Sequence, residues 1–276
     1  MNEQTSPRRL PLNLTSYDLL KALAVIIMLS DHVGYYLFLD EPWFRAIGRI
    51  GFPVWFFLVG YARGRDFSLS LFVGAAILVA ANVVCGLSIF PLNALVTIIL
   101  IRLLLDPVMA FATRGLLPML LTVIVVTGLI VPSFSVSEYG TLGFLLAMFG
   151  YVVRHRPVLA GLHEDAEGVA RGFSLYCLIL FLLVQQFFFM FEQVPLTFMM
   201  CGTSAIIWAL LNFRPLEYPR LTQALPMPLV YATRLMGSRT MEIYVLHLLL
   251  LKVAGVFTDP ERFGWFDWLW YSPTGA

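Results

Sequence analysis

The sequence predicts an all-α protein, a polytopic transmembrane helical bundle of about nine helices with its N-terminus in the cytoplasm. Of 276 residues, 59% are hydrophobic and 13% charged, with a mean hydropathy of +0.83, too apolar for a soluble domain around one core. Windows of about 20 mostly apolar residues, the length that crosses a bilayer as a helix, tile most of the chain between short polar breaks. The basic residues fall in alternate breaks, as cytoplasmic loops require. Residues 1–276 therefore read as one integral-membrane domain, with 1–15 a cytoplasmic N-terminal segment and 258–276 an interfacial tail. The net charge of +1 gives no bulk signature of a nucleic-acid surface.

The windows are approximately 17–39, 45–63, 68–89, 92–112, 115–132, 139–154, 172–192, 195–212 and 239–257. The first follows Arg8 and Arg9. It lacks a small-residue cleavage site and contains Lys21, Asp31 and His32, so it is expected to stay as an anchor rather than be removed as a signal peptide. A charge at membrane depth costs roughly 2.5–3.5 kcal/mol on the lenient scale, and such residues usually face a protein cavity and act there. Lys21 precedes His32 by eleven positions, about 1100° of rotation, which puts both on nearly one face about 16 Å apart. Adjacent positions diverge by about 100°, so Asp31 and His32 cannot both point squarely into one pocket. Asp31 then has two expected roles, orienting His32 or gripping Arg49 to set the packing of two helices.

In the second window, Gly48-Arg49-Ile50-Gly51-Phe52-Pro53 combines an intramembrane arginine with a proline that cannot bond back to the Arg49 carbonyl, and with two glycines that permit close backbone approach. Gly60 and Gly64 make a weak small-residue contact motif at the window's end. Asn82 in the third window is expected to hydrogen-bond between helices. In the fourth, Asn93 is placed to cap the helix or to contact an acceptor substrate, and Arg102 and Asp106, four apart, are expected to neutralise each other.

The loop 155–171, with His155, His163, Glu164, Asp165 and Glu167, reads as a solvated linker. Gln185 and Gln186 in the seventh window are expected to bridge helices. Cys85, Cys177 and Cys201 lie in apolar runs without a paired spacing and are expected to pack. The least regular stretch is Leu221–Met236, which has room for an extra or re-entrant segment. In the last window Tyr244 and His247 are three apart and share a face, while Arg239 and Glu242 sit near its start.

With the N-terminus inside, the cytoplasmic side collects Arg8, Arg9, Arg63, Arg65, Arg114, Arg154, Arg156, Arg171, Arg214, Arg220, Arg234 and Arg239. Arg45 and Arg262 fall outside, beside several carboxylates. Trp43, Trp55, Trp265, Trp268 and Trp270 gather mostly toward that outer interface, where amphipathic rings are favoured. No metal site is expected, because no HExxH spacing or compact cysteine set is present, and no Walker A loop, GxSxG elbow or dinucleotide fingerprint occurs.

Four blocks, Lys21–His32, Gly48–Pro53, Tyr139–Gly143 and Tyr244–Leu248, together resemble the TraX family of integral-membrane acetyltransferases, whose founding members N-acetylate conjugative pilin in Gram-negative bacteria. The spacing from Lys21 to His32 is also similar to the basic-x10-His element of the wider membrane acyltransferases that O-acetylate glycans, where arginine is more usual than lysine. The resemblance implies a multi-pass protein of the bacterial inner membrane that takes acetyl-CoA as acyl donor and passes the acetyl group to a pilin-like or other envelope acceptor. It further implies His32 as base or acetyl carrier, Asp31 as its orienting or charge-stabilising partner, and Arg49 as an oxyanion or substrate contact. Lys21 would meet CoA, His247 and Tyr244 would serve a relay, and Asn93 and Tyr139 would touch the acceptor. O-acetylation of an envelope glycan, a proton-coupled transporter built on the same ionisable chain, and a non-enzymatic scaffold remain as alternatives.

Overall fold

The computed structural model describes residues 13–156 and 165–271. Arg8, Arg9, His163 and Glu164 lie outside the described residues. The described chain is helical and, apart from three isolated bridges, contains no β pairing. Twelve helices run in order: α1 (Ser16–Leu37), α2 (Pro42–Tyr61), α3 (Leu69–Val84), α4 (Ala94–Ala112), α5 (Leu116–Gly128), α6 (Ile130–Phe134), α7 (Gly140–Arg154), α8 (Ala166–Phe189), α9 (Gln193–Leu211), α10 (Pro219–Ala224), α11 (Met227–Ser238) and α12 (Thr240–Thr258). Each of the nine apolar windows falls on one of them. Five, α1, α4, α8, α9 and α12, are long and apolar enough to cross a membrane. The stretch Leu221–Met236 holds α10 and α11, and neither meets that criterion.

Local chemistry starts the helices. Thr15 and Asp18 form a capping box at α1, Glu41 accepts from the Trp43 amide before Pro42, and Asn93 accepts from Leu95. These side chains satisfy amides that have no partner in the first turn.

Loop contacts sort the helix ends into two layers. At the first, the Ser16 amide donates to the Leu216 carbonyl (2.9 Å), Arg156 reaches the Leu211 carbonyl (2.5 Å), and Arg102 donates to the Asp66 carbonyl. Arg63, Arg65, Arg114, Arg154 and Arg214 lie in or beside these loops, which form an arginine-rich end. At the opposite end, the Ile89 and Phe90 amides donate to Leu269 and Trp270, Leu92 and Glu138 join two loops, and Arg262 reaches the Tyr35 carbonyl. The segment after α12 thus folds back over this second end, with Trp265, Trp268 and Trp270.

At the centre stands α2, packed on α1, α7 and α9. Its two arginines and two prolines keep it out of the set of apolar spans, yet most of it is buried, because neighbouring helices rather than lipid surround it. Close approach rests on small residues. A Cβ on Gly48 would run into the Asp31 side chain, and one on Gly60 into the Ala147 backbone. Where lipid is as apolar as leucine, such backbone proximity is what holds helices together. Gly64, by contrast, lies past the end of α2, so the expected Gly60–Gly64 pair does not form the contact.

Several local expectations need correction. Asp106 pairs with Arg65 at 3.1 Å, whereas Arg102 turns to the loop carbonyl of Asp66, so this pair does not neutralise itself. Arg65 also donates to the Val59, Gly60 and Ala62 carbonyls at the end of α2, a set of acceptors that fixes its guanidinium beside Asp106. Gln186 bonds only to the Phe191 carbonyl nearby, and the Gln185 carbonyl oxygen has no partner, so neither bridges helices. Cys85 and Cys177 are buried, but Cys201 is exposed on the outer face of α9. Trp55 lines an internal cavity rather than the interface.

Candidate active site at the meeting of two cavities

Asp31 and His32 diverge as adjacent helical positions must. Asp31, 5% exposed, faces α2, where its Oδ2 accepts from Arg49 at 2.5 Å and its Oδ1 lies 2.9 Å from Arg45. Arg45 also reaches the Asp31 carbonyl at 3.3 Å. Gly48 lets this cluster form, since any larger residue would occupy the space of the carboxylate. Arg49 is equally buried and packs over the Phe189 and Tyr139 rings. A buried carboxylate shared by two guanidiniums is a structural clamp between α1 and α2.

His32 faces α12 instead. Its Nδ1 lies 2.6 Å from His247 Nε2, and the His247 Nδ1 lies 2.6 Å from the Ile243 carbonyl. A carbonyl only accepts, so His247 Nδ1 carries the proton and its Nε2 is a lone pair. His32 must then donate from Nδ1. Its Nε2 is left as a free base, held in orientation by a neighbouring histidine. The orienting role expected of Asp31 therefore falls to His247, because both Asp31 oxygens are turned to α2. The Tyr244 ring sits 5.9 Å from His32 and 5.8 Å from His247.

Two cavities converge here. The first, about 580 Å³, extends from the arginine-rich end and includes Tyr17, Lys21, Ser68, Arg102 and Thr240 in its wall before reaching His32. Lys21 and His32 share this wall, as their spacing predicts, and the Lys21 ammonium donates to the Gly237 carbonyl at 3.2 Å. The second, about 400 Å³, opens toward the tryptophan-rich end past Arg45, Asn82, Asn93, Glu138, Gln185 and Lys252. Asp31, His32, Arg49, Tyr139 and Tyr244 line both. His247 stands behind His32, outside both linings.

Of the expected site residues, Lys21 therefore belongs to the first cavity and Asn93 to the second. Asn93 caps α4 and also donates to the Ala75 carbonyl at 3.0 Å, so both of its functional groups are engaged. Sequence reasoning missed three residues. Arg45 falls on the outer side in the charge map, and Glu138 and Lys252 are not singled out by any sequence motif. Lys252 carried a signal, since a lysine twelve residues into an apolar helix is itself an intramembrane charge. Glu138 is half-buried in the loop before α7, where its carboxylate accepts from the Ala94 amide at 3.1 Å. Burial pushes this carboxyl above the usual carboxylate range, against the opposing pull of Lys252 and the Ala94 amide. Among the described residues no cluster of His, Cys, Asp and Glu is arranged to hold a metal ion.

A family model described as TraX protein matches residues 16–255. Among curated proteins, the chain is similar to uncharacterized protein RP591 of Rickettsia prowazekii (strain Madrid E), with 30% identity over 148 residues. That alignment covers 52% of this chain and 58% of the relative, so the chain spans little more than half of the length of the protein it matches. No solved structure matches.

Proposed function

Since the family model covers most of its length, the chain belongs to the TraX family, and we propose that it is a membrane-embedded acetyltransferase that moves an acetyl group from acetyl-CoA to an envelope acceptor such as the N-terminal amine of a pilin. One observation carries the reading. Cavities from opposite ends of the bundle meet at a histidine whose free nitrogen is fixed as a base. A donor and an acceptor entering from different sides of a bilayer would meet at such a point.

The arginine-rich end is taken as cytoplasmic, which suits a bacterial inner membrane and puts the first cavity in contact with acetyl-CoA. Lys21 and Arg102, both in that cavity's wall, supply positive charge for the CoA phosphates. The thioester arm then has about 16 Å of α1 to follow from Lys21 to His32. In the second cavity an acceptor amine or hydroxyl gives its proton to His32 Nε2 and attacks the acetyl carbonyl carbon. Arg49 and the Tyr139 hydroxyl, which line both cavities, face the oxyanion that develops. As the carbon–sulfur bond breaks, CoA thiolate leaves and takes the proton back from His32.

The test is incubation of purified, folded protein with labelled acetyl-CoA. Release of free CoA that depends on His32 supports the reading, and absence of binding, hydrolysis and transfer contradicts it. Mass spectrometry of envelope proteins and glycans from cells with and without the gene identifies the acceptor, including the alternative of a glycan hydroxyl. A second reading, a proton-coupled transporter, is favoured by the same continuity of polar cavities between both ends. It predicts solute accumulation driven by a pH gradient in proteoliposomes, without consumption of acetyl-CoA.

A further inference from the structure

Glu138 is fixed in the wall of the second cavity by three bonds to the segment that opens α4. Its amide donates to the Leu92 carbonyl at 2.8 Å, its carbonyl accepts from the Thr97 hydroxyl at 2.5 Å, and its carboxylate Oε2 accepts from the Ala94 amide at 3.1 Å. Among the described residues the other oxygen, Oε1, accepts from no donor, and no ion pair includes Glu138. The second carboxylate in this wall, Asp31, is taken up by Arg45 and Arg49. Glu138 is therefore the carboxylate that the cavity leaves open to an occupant. The next residue, Tyr139, lines both cavities, so Glu138 stands beside the junction at which His32 acts.

The charges that face Glu138 come from three helices. Lys252 on α12 stands across the same cavity, with its ammonium on the Tyr36 hydroxyl and Asn82 Oδ1, while α1 contributes Asp31 and α2 contributes Arg45 and Arg49. The other titratable groups of the wall are His32, Tyr35, Tyr36, Tyr139 and Tyr244. Burial raises the proton affinity of the Glu138 carboxylate, whereas Lys252 holds it ionised. Both effects suit a group that waits as a carboxylate and then accepts a proton.

The proton count gives it a task. At neutral pH an amine is mostly ammonium, with no lone pair and with one proton more than His32 Nε2 can hold. We propose that Glu138 is a further catalytic residue, the carboxylate that takes the first proton from an acceptor arriving as an ammonium ion. This rests on the acetyltransferase reading and adds a group to it. One N–H bond breaks toward Oε1, its electron pair stays on nitrogen as the attacking lone pair, and Glu138 becomes a neutral acid. The second proton passes to His32 Nε2 as the carbon–nitrogen bond forms, and on to the CoA thiolate as the carbon–sulfur bond breaks. Glu138 then returns its proton to water at the tryptophan-rich end. The sum is ammonium and acetyl-CoA giving acetamide, CoA thiol and one proton. A hydroxyl acceptor brings a single proton and bypasses Glu138.

The experiment reads a pH profile. Purified wild type, Glu138→Gln and Glu138→Asp are given acetyl-CoA with glycinamide, an amine that titrates at about pH 8, or with glycolamide, its hydroxyl counterpart, and kcat/KM for each acceptor is followed from about pH 6 to 8. The amine-to-hydroxyl ratio cancels the titration of His32, Lys252 and the tyrosines, which act on both acceptors. In the wild type the ratio should stay flat, because the ammonium is the form taken up. In Glu138→Gln it should rise about tenfold per pH unit, because only free amine reacts, and Glu138→Asp should keep the flat profile. A purely structural Glu138 would change the size of the ratio and not its slope. A ratio that rises in the wild type, parallel profiles in wild type and Glu138→Gln, or transfer to glycolamide with none to glycinamide overturns the inference. Should Glu138→Gln not fold, a rising wild-type ratio still overturns it and a flat one supports it. Transfer with a rising wild-type ratio removes this inference alone, whereas folded protein that releases no CoA with either acceptor overturns the acetyltransferase reading and this inference with it.

Discussion

His32 Nδ1 and His247 Nε2 stand 2.6 Å apart, and the Ile243 carbonyl, 2.6 Å from His247 Nδ1, fixes which nitrogen of each ring carries its proton. The consequence is a base, His32 Nε2, oriented by a second histidine that itself lies outside both cavities. Such an arrangement resembles the logic of any oriented catalytic imidazole, with a neutral ring in the place where a carboxylate often stands.

Under the acetyltransferase reading, His247 is a positioning residue. Replacing it with alanine should lower kcat by about 10²-fold, at the low end of what a well-placed base contributes, with little change in KM for acetyl-CoA. His247→Gln should recover part of the loss, because the glutamine oxygen can accept from His32 Nδ1 much as Nε2 does. Steady-state kinetics of both variants checks this. Equal losses in the two would mean that the ring does more than orient.

Asp31 should matter most for stability. Asp31→Asn leaves Arg45 and Arg49 buried against a neutral amide and should cost about 3–5 kcal/mol. The double variant Asp31→Asn, Arg49→Gln should regain part of it. Thermal or denaturant unfolding in detergent is the measurement. A stable Asp31→Asn protein that has lost turnover would instead give the carboxylate a direct chemical role.

Asp106→Asn makes the contrast. Its pair with Arg65 is as short as many, at 3.1 Å, but the Asp106 side chain is 57% exposed and Arg65 keeps three carbonyl acceptors. The expected loss is at most about 1 kcal/mol, read from the same unfolding curves.

Gly48→Ala tests the clamp from the backbone side. The added methyl group competes with the Asp31 carboxylate for one space, so α1 and α2 must separate or Asp31 must leave its arginines. A loss of at least about 1–3 kcal/mol is expected, the range of ordinary overpacking, accompanied by reduced turnover as His32 shifts with α1.

Much of this architecture was legible in the sequence because apolar length and helical period are local properties. All nine windows became helices, and the shared wall of Lys21 and His32 followed from their spacing alone. The ion pair of Asp31 with Arg49 was similarly readable from two costly charges at similar depth. What escaped were partners chosen by tertiary packing. Arg102 and Asp106 satisfy the spacing for a pair, yet a loop arginine and a loop carbonyl took their places. Lys252 and Glu138 meet the same cavity from segments over a hundred residues apart, and the coupling of His32 to His247 required α1 and α12 to lie side by side. No period in the chain encodes those adjacencies.

The most direct test of the central claim is sided. The protein is reconstituted in proteoliposomes with its arginine-rich end outward, labelled acetyl-CoA is added outside, and a short amidated peptide with a free N-terminal amine is enclosed within. Acetylated peptide should accumulate in the lumen with wild-type protein and not with His32→Ala. Folded wild-type protein that consumes no acetyl-CoA, or that leaves every labelled acetyl group outside, would contradict transfer at the junction of the two cavities.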